Sequence, residues 1–347
     1  MNKKVILDVL GGDHGAASTL PAAVMALKQD KGLNLVLVGD KDVISAHKEL
    51  APVIDRCEII HTTTNIGMNE HPVEAIRTKK DSSICLGMDA LRTREDCTAF
   101  VSAGSTGAVL TGGFMKVGRI PGVSRPALCT KLMTYDKRGV LVLDLGANMD
   151  CKPENLVHFA IMADAYWRAN PPLMNFDRYK NVKPVPRVAL LSVGTEDEKG
   201  NELTLVAFAE LKKLHDAGKL NFVGNMEARD TFSGKYDIVV ADGFAGNVLL
   251  KTLEGTGKLF SHELKKAISG PFVLLGKLIL AVRLLKMKKN LSEDATGGAI
   301  LLGCKKPVIK AHGNSGARAL CNAILLGRRA GDMNLYGEIE KAIGSLT

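Results

Sequence analysis

The chain repeats one local pattern: a short apolar run, a turn rich in glycine and small polar residues, and then a helix. In the segment 237–255, residues 238–241 are apolar, as is typical of a buried parallel strand. Gly243 and Gly246 permit the tight turn that follows. Asn247 is placed to cap the next helix, whose free backbone N–H groups and dipole favour a bound anion. The alternative is that both glycines only allow strand and helix to pack closely.

This alternation predicts an α/β fold, with a doubly wound, mostly parallel sheet and helices on both faces. The predicted strands are 5–9, 33–38, 58–61, 99–101, 139–143, 188–191, 222–223, 238–241 and 308–309. Turns of small and polar residues follow at Gly11-Gly12, Gly104–Gly107, Gly146–Asn148, Gly194-Thr195, Gly243–Asn247 and Gly313–Ser315. Because such loops collect at the carboxyl edge of a parallel sheet, we expect all of them to border one crevice. Their composition favours a phosphate or carbonyl-oxygen site there.

Length and composition suit one large domain or two closely joined ones, and we predict one large catalytic domain over 1–347. The polar run 175–186 is predicted as a long surface connection, with a domain boundary as the alternative. Of the 347 residues, 46% are hydrophobic, which is ample for a sizeable core. The net charge of +9 suits an acidic protein, an anionic lipid or a phosphate compound and does not distinguish among them. Nucleic acid fits poorly as a partner, because Trp167 is the only tryptophan and no basic helix is interleaved with aromatic residues.

The cysteines and the N-terminal residues predict a cytoplasmic location. The 7 cysteines are scattered and include no CxxC pair. This pattern argues for a reducing compartment and against a zinc site or a disulfide framework. The first apolar run, Val5-Ile6-Leu7, is too short to be the core of a signal peptide.

The segment 262–291 differs from the rest because it is both strongly apolar and basic. Lys277 and Arg283 interrupt it, so it is too short and too charged to span a bilayer. One hypothesis is a projecting helical segment that dips into an anionic membrane surface or docks an acidic, lipid-bearing partner. The alternative is burial in a dimer interface, which the unpaired positive charges disfavour. The candidate docking residues are Lys265, Lys266, Leu274, Leu275, Lys277, Leu278, Arg283 and Lys286.

Collinear segments together resemble the phosphate acyltransferase family PlsX of bacterial phospholipid synthesis, over nearly the full length of the chain. The segments are DVLGGDHG (8–15), IGMNEHPVEAIRTKKDSSI (66–84), SAGSTGA (102–108), RPAL (125–128), DLGANMDCKPENLVHFAIM (144–162), GTEDEKGNELT (194–204), FVGNMEARD (222–230), DGFAGNVLLKTLEG (242–255), GGAILLG (297–303) and HGNSGA (312–317). Ser105 and Val193 depart from the family pattern, since each stands where the family has an asparagine.

The resemblance implies a fold similar to the isocitrate/isopropylmalate dehydrogenases and the phosphotransacetylases. It also implies a reaction in which a fatty acyl group moves from acyl carrier protein to inorganic phosphate and forms an acyl phosphate. The resemblance further implies a homodimer associated with the membrane surface, upstream of a membrane acyltransferase. It implies no metal and no nicotinamide cofactor.

Phosphate is already an anionic nucleophile, so such a site must position two ligands and stabilise an oxyanion. We predict Lys199 as the phosphate-facing cation, Asn247 as a hydrogen-bond donor, and His14 or His312 as the acid that protonates the leaving sulfur. The other predicted phosphate or substrate contacts are Gly12, Asp13, Gly104, Ser105, Thr106, Gly107, Asn148, Thr195 and Gly246. Each of these residues also has a purely structural alternative. Lys199 would be a solvated surface lysine and Asn247 only a helix cap. Asn148, His14 and His312 would be turn residues. No cysteine lies in a distinctive nucleophile loop, so we predict direct transfer without an acyl-enzyme.

Two other functions share parts of this pattern. An NAD-dependent enzyme of the decarboxylating-dehydrogenase type has the same architecture, and the absence of a GxGxxG motif counts against it only in part. A non-catalytic protein that docks carrier protein or membrane through 265–289 would leave the small polar loops without a role.

Overall fold

The computed structural model describes residues 3–170, 185–267 and 297–344. The strands there are β1 Lys4–Asp8, β2 Asn34–Gly39, β3 Cys57–His61, β4 Cys97–Ser102, β5 Ala127–Leu132, β6 Val140–Leu143, β7 Val188–Leu191, β8 Phe222–Met226, β9 Ile238–Val240, β10 Ala299–Leu302 and β11 Val308–Lys310. The α-helices there are α1 Ala16–Gln29, α2 Lys41–Ser45, α3 Pro72–Thr78, α4 Ser83–Thr93, α5 Thr106–Gly112, α6 Pro153–Ala169, α7 Glu202–Asp216, α8 Gly243–Ala267, α9 Ala317–Asp332 and α10 Leu335–Gly344.

All of these strands belong to one sheet, in the order β3-β2-β1-β4-β11-β10-β5-β6-β9-β7-β8. Most neighbours run parallel: β3, β2, β1, β4 and β11 form one parallel block, and β6, β9, β7 and β8 form another. Helices cover both faces, as the buried clusters on each side of the sheet show. The predicted fold class, a mostly parallel α/β sheet, is confirmed.

The two parallel blocks point in opposite directions. Strand β10 is antiparallel to both β11 and β5, and β5 is antiparallel to β6. The loops after β1, β4 and β11 therefore leave one edge of the sheet, whereas those after β6, β7 and β9 leave the opposite edge. The expectation that all of the small polar loops border one rim of the sheet is wrong, because β5 and β10 reverse the strand direction between the blocks.

The helices bury one face of the sheet in a single core and the other face in two clusters. Since alternate residues of a strand face opposite sides, Val5 and Leu7 of β1 join the single core and Ile6 faces the other side. The single core also contains side chains of α1, α6, α7, α9 and α10. On the opposite face, Leu110 of α5 and Ala147 pack against both clusters. These two residues mark the junction between the halves of the sheet.

The last part of α8 extends away from the sheet, because residues 255–263 are exposed around the whole helix. Leu259 and Phe260 there are 62% and 58% exposed. Of the predicted segment 262–291, only 262–267 lies among the described residues, and its candidates at 274–286 lie outside them. No helix in the described ranges has the length and apolarity that crossing a bilayer requires.

Candidate active site

The loops that follow β1, β4 and β11 meet at one edge of the sheet. The Asp13 backbone N–H donates to the Gly313 carbonyl oxygen at 2.8 Å. Gly12 has a φ of +88°, and a Cβ atom there would lie 2.9 Å from both the Gly313 oxygen and the Ala103 Cβ. Only glycine fits this close approach. The predicted site residues in these adjoining loops are Gly12, Asp13, His14, Gly104, Ser105, Thr106, Gly107 and His312.

A buried polar layer supports these loops, and sequence reasoning missed it. Asp8, Ser102 and Lys310 are the last residues of three adjacent parallel strands and are at most 6% exposed. The Ser102 hydroxyl donates to Asp8 Oδ2 at 2.6 Å and accepts from the Gly104 N–H at 2.9 Å. The available signal was a polar residue ending each apolar strand, but only the three-dimensional fold shows that the three strands are neighbours.

Burial moves the ionisation of two of these groups in opposite directions. It raises the pKa of Asp8, although hydrogen bonds such as that from Ser102 act against the shift. It lowers the pKa of Lys310 to about 8, while Asp8 and Asp13 favour the charged ammonium and Lys251 opposes it.

The loop after β6 is organised around the buried carboxylate of Asp144. Its Oδ1 accepts from the backbone N–H groups of Leu128 and Ala147 at 2.9 and 3.0 Å. Its Oδ2 accepts from the backbone N–H of Asn148 at 2.7 Å and from the Asn148 amide at 2.8 Å. That amide also donates to the Pro126 carbonyl oxygen at 2.8 Å. Both N–H bonds of the Asn148 amide are thus occupied in holding the turn, and a phosphate contact from Asn148 stays a prediction.

Helix α8 begins directly against this loop, and two glycines make the contact possible. Gly243 N–H donates to the Asn148 carbonyl oxygen at 2.9 Å. A Cβ atom at Gly243 would overlap that oxygen, and one at Gly246 would overlap the carbonyl oxygen of Asp144. Both glycines therefore allow close packing, here between α8 and the loop after β6, and their anion-binding role stays a prediction.

Asn247 is not the cap of α8. The helix already begins at Gly243, and the Asp242 carboxylate accepts from the Ala245 N–H at 2.9 Å, which makes Asp242 the cap. The cap prediction for Asn247 is wrong because Gly243 and Gly246 lie inside the helix rather than in a turn before it. Asn247 instead lies beside the loop after β6, 3.5 Å from the point that a Gly146 Cβ would occupy.

Lys199 lies in the exposed loop after β7, next to the cap of α7. Asn201 caps α7, accepting from the Thr204 N–H at 3.0 Å. The Lys199 carbonyl oxygen accepts from the Ser192 hydroxyl at 3.1 Å and from the Asn225 amide at 3.3 Å. Its exposed ammonium makes no hydrogen bond or ion pair within the described ranges. The backbone at this position is therefore fixed, while the charged end of the side chain remains available to a ligand, as does the nearby exposed Thr195.

The two groups of loops connect across one face of the sheet. Helix α5 starts in the loop after β4, and its Leu110 packs against both buried clusters of that face, as does Ala147 beside Asn148. Gly107 at the start of α5 lies directly against the Pro72 ring. No hydrogen bond or ion pair among the described residues links Lys199 to Gly104 or Asn247. That Gly104, Lys199 and Asn247 contact one substrate therefore stays a prediction.

Comparison with known proteins decides the family. Residues 3–337 match the family model described as "Fatty acid synthesis protein". The chain is 44% identical over 325 residues to the phosphate acyltransferase of Halalkalibacterium halodurans, covering 92% of this chain and 90% of the relative. It is 40% identical over 346 residues to that of Bacillus subtilis, covering 98% of each. The chain belongs to the phosphate acyltransferase family, PlsX. The resemblance drawn from its motifs is confirmed, and the enzyme is an acyltransferase of fatty acid and lipid synthesis.

Solved structures support the fold of this acyltransferase. The EutD phosphotransacetylase from Staphylococcus aureus aligns with a TM-score of 0.59 at 16% identity, over 95% of this chain and 94% of that one. A phosphotransacetylase from Streptococcus pyogenes aligns with a TM-score of 0.57 at 16% identity, over 94% and 93%. At this identity the likeness concerns the fold alone. The family assignment itself decides against the dehydrogenase and the non-catalytic alternatives.

Proposed function

We propose that this phosphate acyltransferase transfers a fatty acyl group from acyl carrier protein to inorganic phosphate, and that the acyl phosphate serves phospholipid synthesis. The observation that carries the proposal is the near-full-length identity of about 40% to phosphate acyltransferases. The net charge of +9 supports it, because both an anionic nucleophile and an acidic carrier protein favour a positive enzyme.

In the proposed reaction a phosphate oxygen attacks the thioester carbonyl carbon, a C–O bond forms, and the C–S bond breaks. The departing thiolate takes up a proton. Lys199 is the candidate phosphate cation, since its exposed ammonium engages no described partner while its backbone is held by Ser192 and Asn225. Asn247 is the candidate oxyanion donor, because its side-chain amide carries N–H donors and lies beside the loop after β6.

His312 is the candidate for protonating the leaving sulfur. It is exposed in the loop after β11, and its Nδ1 accepts a 3.5 Å hydrogen bond from the Asn314 N–H. An Nδ1 that accepts a hydrogen bond leaves Nε2 to carry the proton of the neutral ring. His14 is also exposed, in the adjoining loop, and is the second candidate.

The state of the cysteines supports direct attack by phosphate without an acyl-enzyme. Burial raises the pKa of all 7 thiols. Cys151, whose Sγ lies 3.4 Å from the Asn148 carbonyl oxygen, has a pKa raised to about 11. Because the thiolate is the nucleophilic form of cysteine, a thiol in this state is a poor acceptor for the acyl group.

The proposal extends to where the enzyme works. Its support is the exposed end of α8 with Leu259 and Phe260, which leads into the apolar and basic segment 262–291. We infer that this segment contacts an anionic membrane surface or the acyl carrier protein, and that the enzyme is a homodimer which passes its product to a membrane acyltransferase.

Product identification tests the function. Purified enzyme is incubated with palmitoyl-acyl carrier protein and ³²P-labelled inorganic phosphate, and the lipid extract is analysed for labelled acyl phosphate. The expected result is labelled product only when enzyme and thioester are both present. Thioester consumption without any labelled acyl phosphate would overturn the proposal.

A further inference from the structure

Lys310 is a buried lysine for which the proposed mechanism has no role. It ends β11, is 6% exposed, and faces the same side of the sheet as Asp8 and Ser102. Its Nζ donates to the carbonyl oxygen of Ala103 at 3.4 Å and to that of Ala311. These two carbonyls begin the loops that follow β4 and β11, so one ammonium joins both loops.

Burying the charged ammonium of Lys310 costs desolvation free energy, so packing alone does not explain a lysine at this position. Val308 and Ile309 precede it on β11 and are fully buried, and an apolar residue at 310 would avoid the desolvation cost of an ammonium. The compensation comes from Asp8 on β1, from Asp13 in the following loop, and from the two carbonyl oxygens. Such an arrangement keeps a positive charge directly beneath the group of loops that contains Gly12, Gly104 and Gly313.

The carboxylate partner holds the third loop of the same group. Asp8 Oδ1 accepts from the Leu10 N–H at 3.2 Å, and its Oδ2 accepts from the Ser102 hydroxyl, which in turn binds the Gly104 N–H. Lys310 and Asp8 therefore fix all three loops from below, one through carbonyl oxygens and the other through N–H groups. Neither group reaches the surface, so each acts on a ligand through the loops and through its charge.

We propose that Lys310 is a positioning residue for phosphate, which holds the loops after β4 and β11 in place and supplies the buried positive charge of that edge of the site. This inference rests on the proposed function, because it assumes that inorganic phosphate binds at these loops. It adds a buried positive charge to the edge at which Gly12 and Gly104–Gly107 were predicted to contact phosphate, and it leaves Lys199 as the exposed phosphate cation of the proposed function.

Titration of Lys310 gives the inference a readout that packing alone would not produce. Burial lowers its pKa to about 8, and the charged groups that face it are Asp8, Asp13 and Lys251. Above that pH the ammonium loses its proton and with it both the charge and a donor. Phosphate affinity should then fall between about pH 8 and pH 10, a range in which inorganic phosphate itself stays a dianion.

Lys306 provides a matched control in the turn just before the same strand, β11. Its Nζ donates to the carbonyl oxygens of Arg94 and Cys97 at 2.8 and 2.9 Å, and burial lowers its pKa as well. It therefore makes the same kind of contact at the edge opposite to the Gly12 and Gly104 loops. Replacement of Lys306 should lower the stability of the fold without changing the affinity for phosphate.

The test is calorimetric titration of full-length wild type, Lys310→Met, Lys310→Arg and Lys306→Met with inorganic phosphate from about pH 7 to pH 10, with the KM for phosphate measured in parallel. The phosphate affinity of wild type and of Lys306→Met should fall several-fold above about pH 8. Lys310→Met should bind about ten- to a hundredfold more weakly at neutral pH and show no further decline. Lys310→Arg should bind with a flat profile, because guanidinium stays protonated throughout.

Wild-type affinity and pH dependence in Lys310→Met would overturn the inference and leave the proposed function intact. If Lys310→Met does not fold, the wild-type and Lys310→Arg profiles decide, and identical profiles overturn it. A wild type that binds no phosphate at any pH and makes no acyl phosphate would remove the proposed function and this inference together.

Discussion

The Ser102 hydroxyl donates a 2.6 Å hydrogen bond to the fully buried carboxyl of Asp8 and accepts another from the Gly104 N–H. One side chain thus joins the ends of β1 and β4 to the loop that enters α5. Because every group in this chain of hydrogen bonds is shielded from water, the loss of one leaves its partners unsatisfied.

Replacement of Ser102 by alanine should therefore lower the free energy of unfolding by about 1–3 kcal/mol. Urea unfolding measures the change. Thr93→Ala is the control, since that exposed hydroxyl only donates to the Asp89 carbonyl oxygen of its own helix, and it should change stability by less than about 0.5 kcal/mol. Equal effects in the two variants would contradict the role given to Ser102.

Two glycines of α8 should respond in opposite directions to alanine. At Gly246 the new Cβ would overlap the Asp144 carbonyl oxygen, and the variant should lose about 1–3 kcal/mol or more. At Gly255 a Cβ meets open space, and the variant should gain about 0.5–1 kcal/mol from helix propensity. Urea unfolding of both variants checks this, and a tolerated alanine at 246 would refute the close contact between α8 and the loop after β6.

Lys199→Met should raise the KM for phosphate by about ten- to a hundredfold, because it removes one charged contact to the nucleophile. Stability should stay within about 0.5 kcal/mol, since the exposed ammonium engages no partner in the described ranges. Lys212→Met is the control: Lys212 forms a 2.7 Å ion pair with Asp197 at the surface, and its loss should leave the KM unchanged. Steady-state kinetics at varied phosphate concentration measures both KM values. A wild-type KM for phosphate in Lys199→Met would show that Lys199 does not contact phosphate.

An ion-pair network at the amino ends of β1 and β4 should make stability depend on acid pH. The Arg94 guanidinium donates hydrogen bonds to the carboxylates of Glu58 and Asp96. The hydrogen bond to Glu58 is the main cause that lowers the pKa of Glu58 to about 2, and desolvation opposes this shift. Hydrogen bonds from Arg94 and then Lys4 also lower the pKa of Asp96. A carboxyl whose folded pKa is depressed adds stability above its unfolded pKa, and that stability is lost as the pH falls through the folded value.

The free energy of unfolding should therefore fall between about pH 4.5 and pH 2 in wild type, and Arg94→Met should flatten that decline while lowering stability at neutral pH. Urea unfolding across this range measures it. Arg92→Met serves as control, because Arg92 is exposed and lies 3.7 Å from Asp89 in a weak pair within one helix. An unchanged slope in Arg94→Met would show that the network does not govern the acid limb.

Local sequence was sufficient to find the strands that feed helices, but not the two that reverse the sheet. The apolar runs at 5–9, 99–101, 238–241 and 308–309 each precede a segment that contains glycine, and most or all residues of each run lie in a strand. Strands β5 and β10 have no helix directly after them and so lack that signature. Since their antiparallel pairing divides the loops between two edges of the sheet, the prediction that all of these loops share one edge was wrong, even though each βα unit was identified.

The site was predictable in its parts and not in its assembly. Glycines at 243 and 246 indicated a turn, whereas both lie inside α8. Glycine is needed at these helical positions because a Cβ atom would overlap the Asn148 or the Asp144 carbonyl oxygen. The layer of Asp8, Ser102 and Lys310 depends on strands that are far apart in sequence and adjacent in the sheet. Such neighbours follow from the order of the strands, which no local pattern encodes.

The most direct measurement follows both products of one reaction. Purified enzyme is mixed with palmitoyl-acyl carrier protein at increasing phosphate, and released carrier thiol and acyl phosphate are quantified together. Direct attack by phosphate predicts equal amounts of both and a rate that extrapolates to zero without phosphate. Thiol release that continues without phosphate, or an acylated enzyme that accumulates there and then supplies the product, would contradict it.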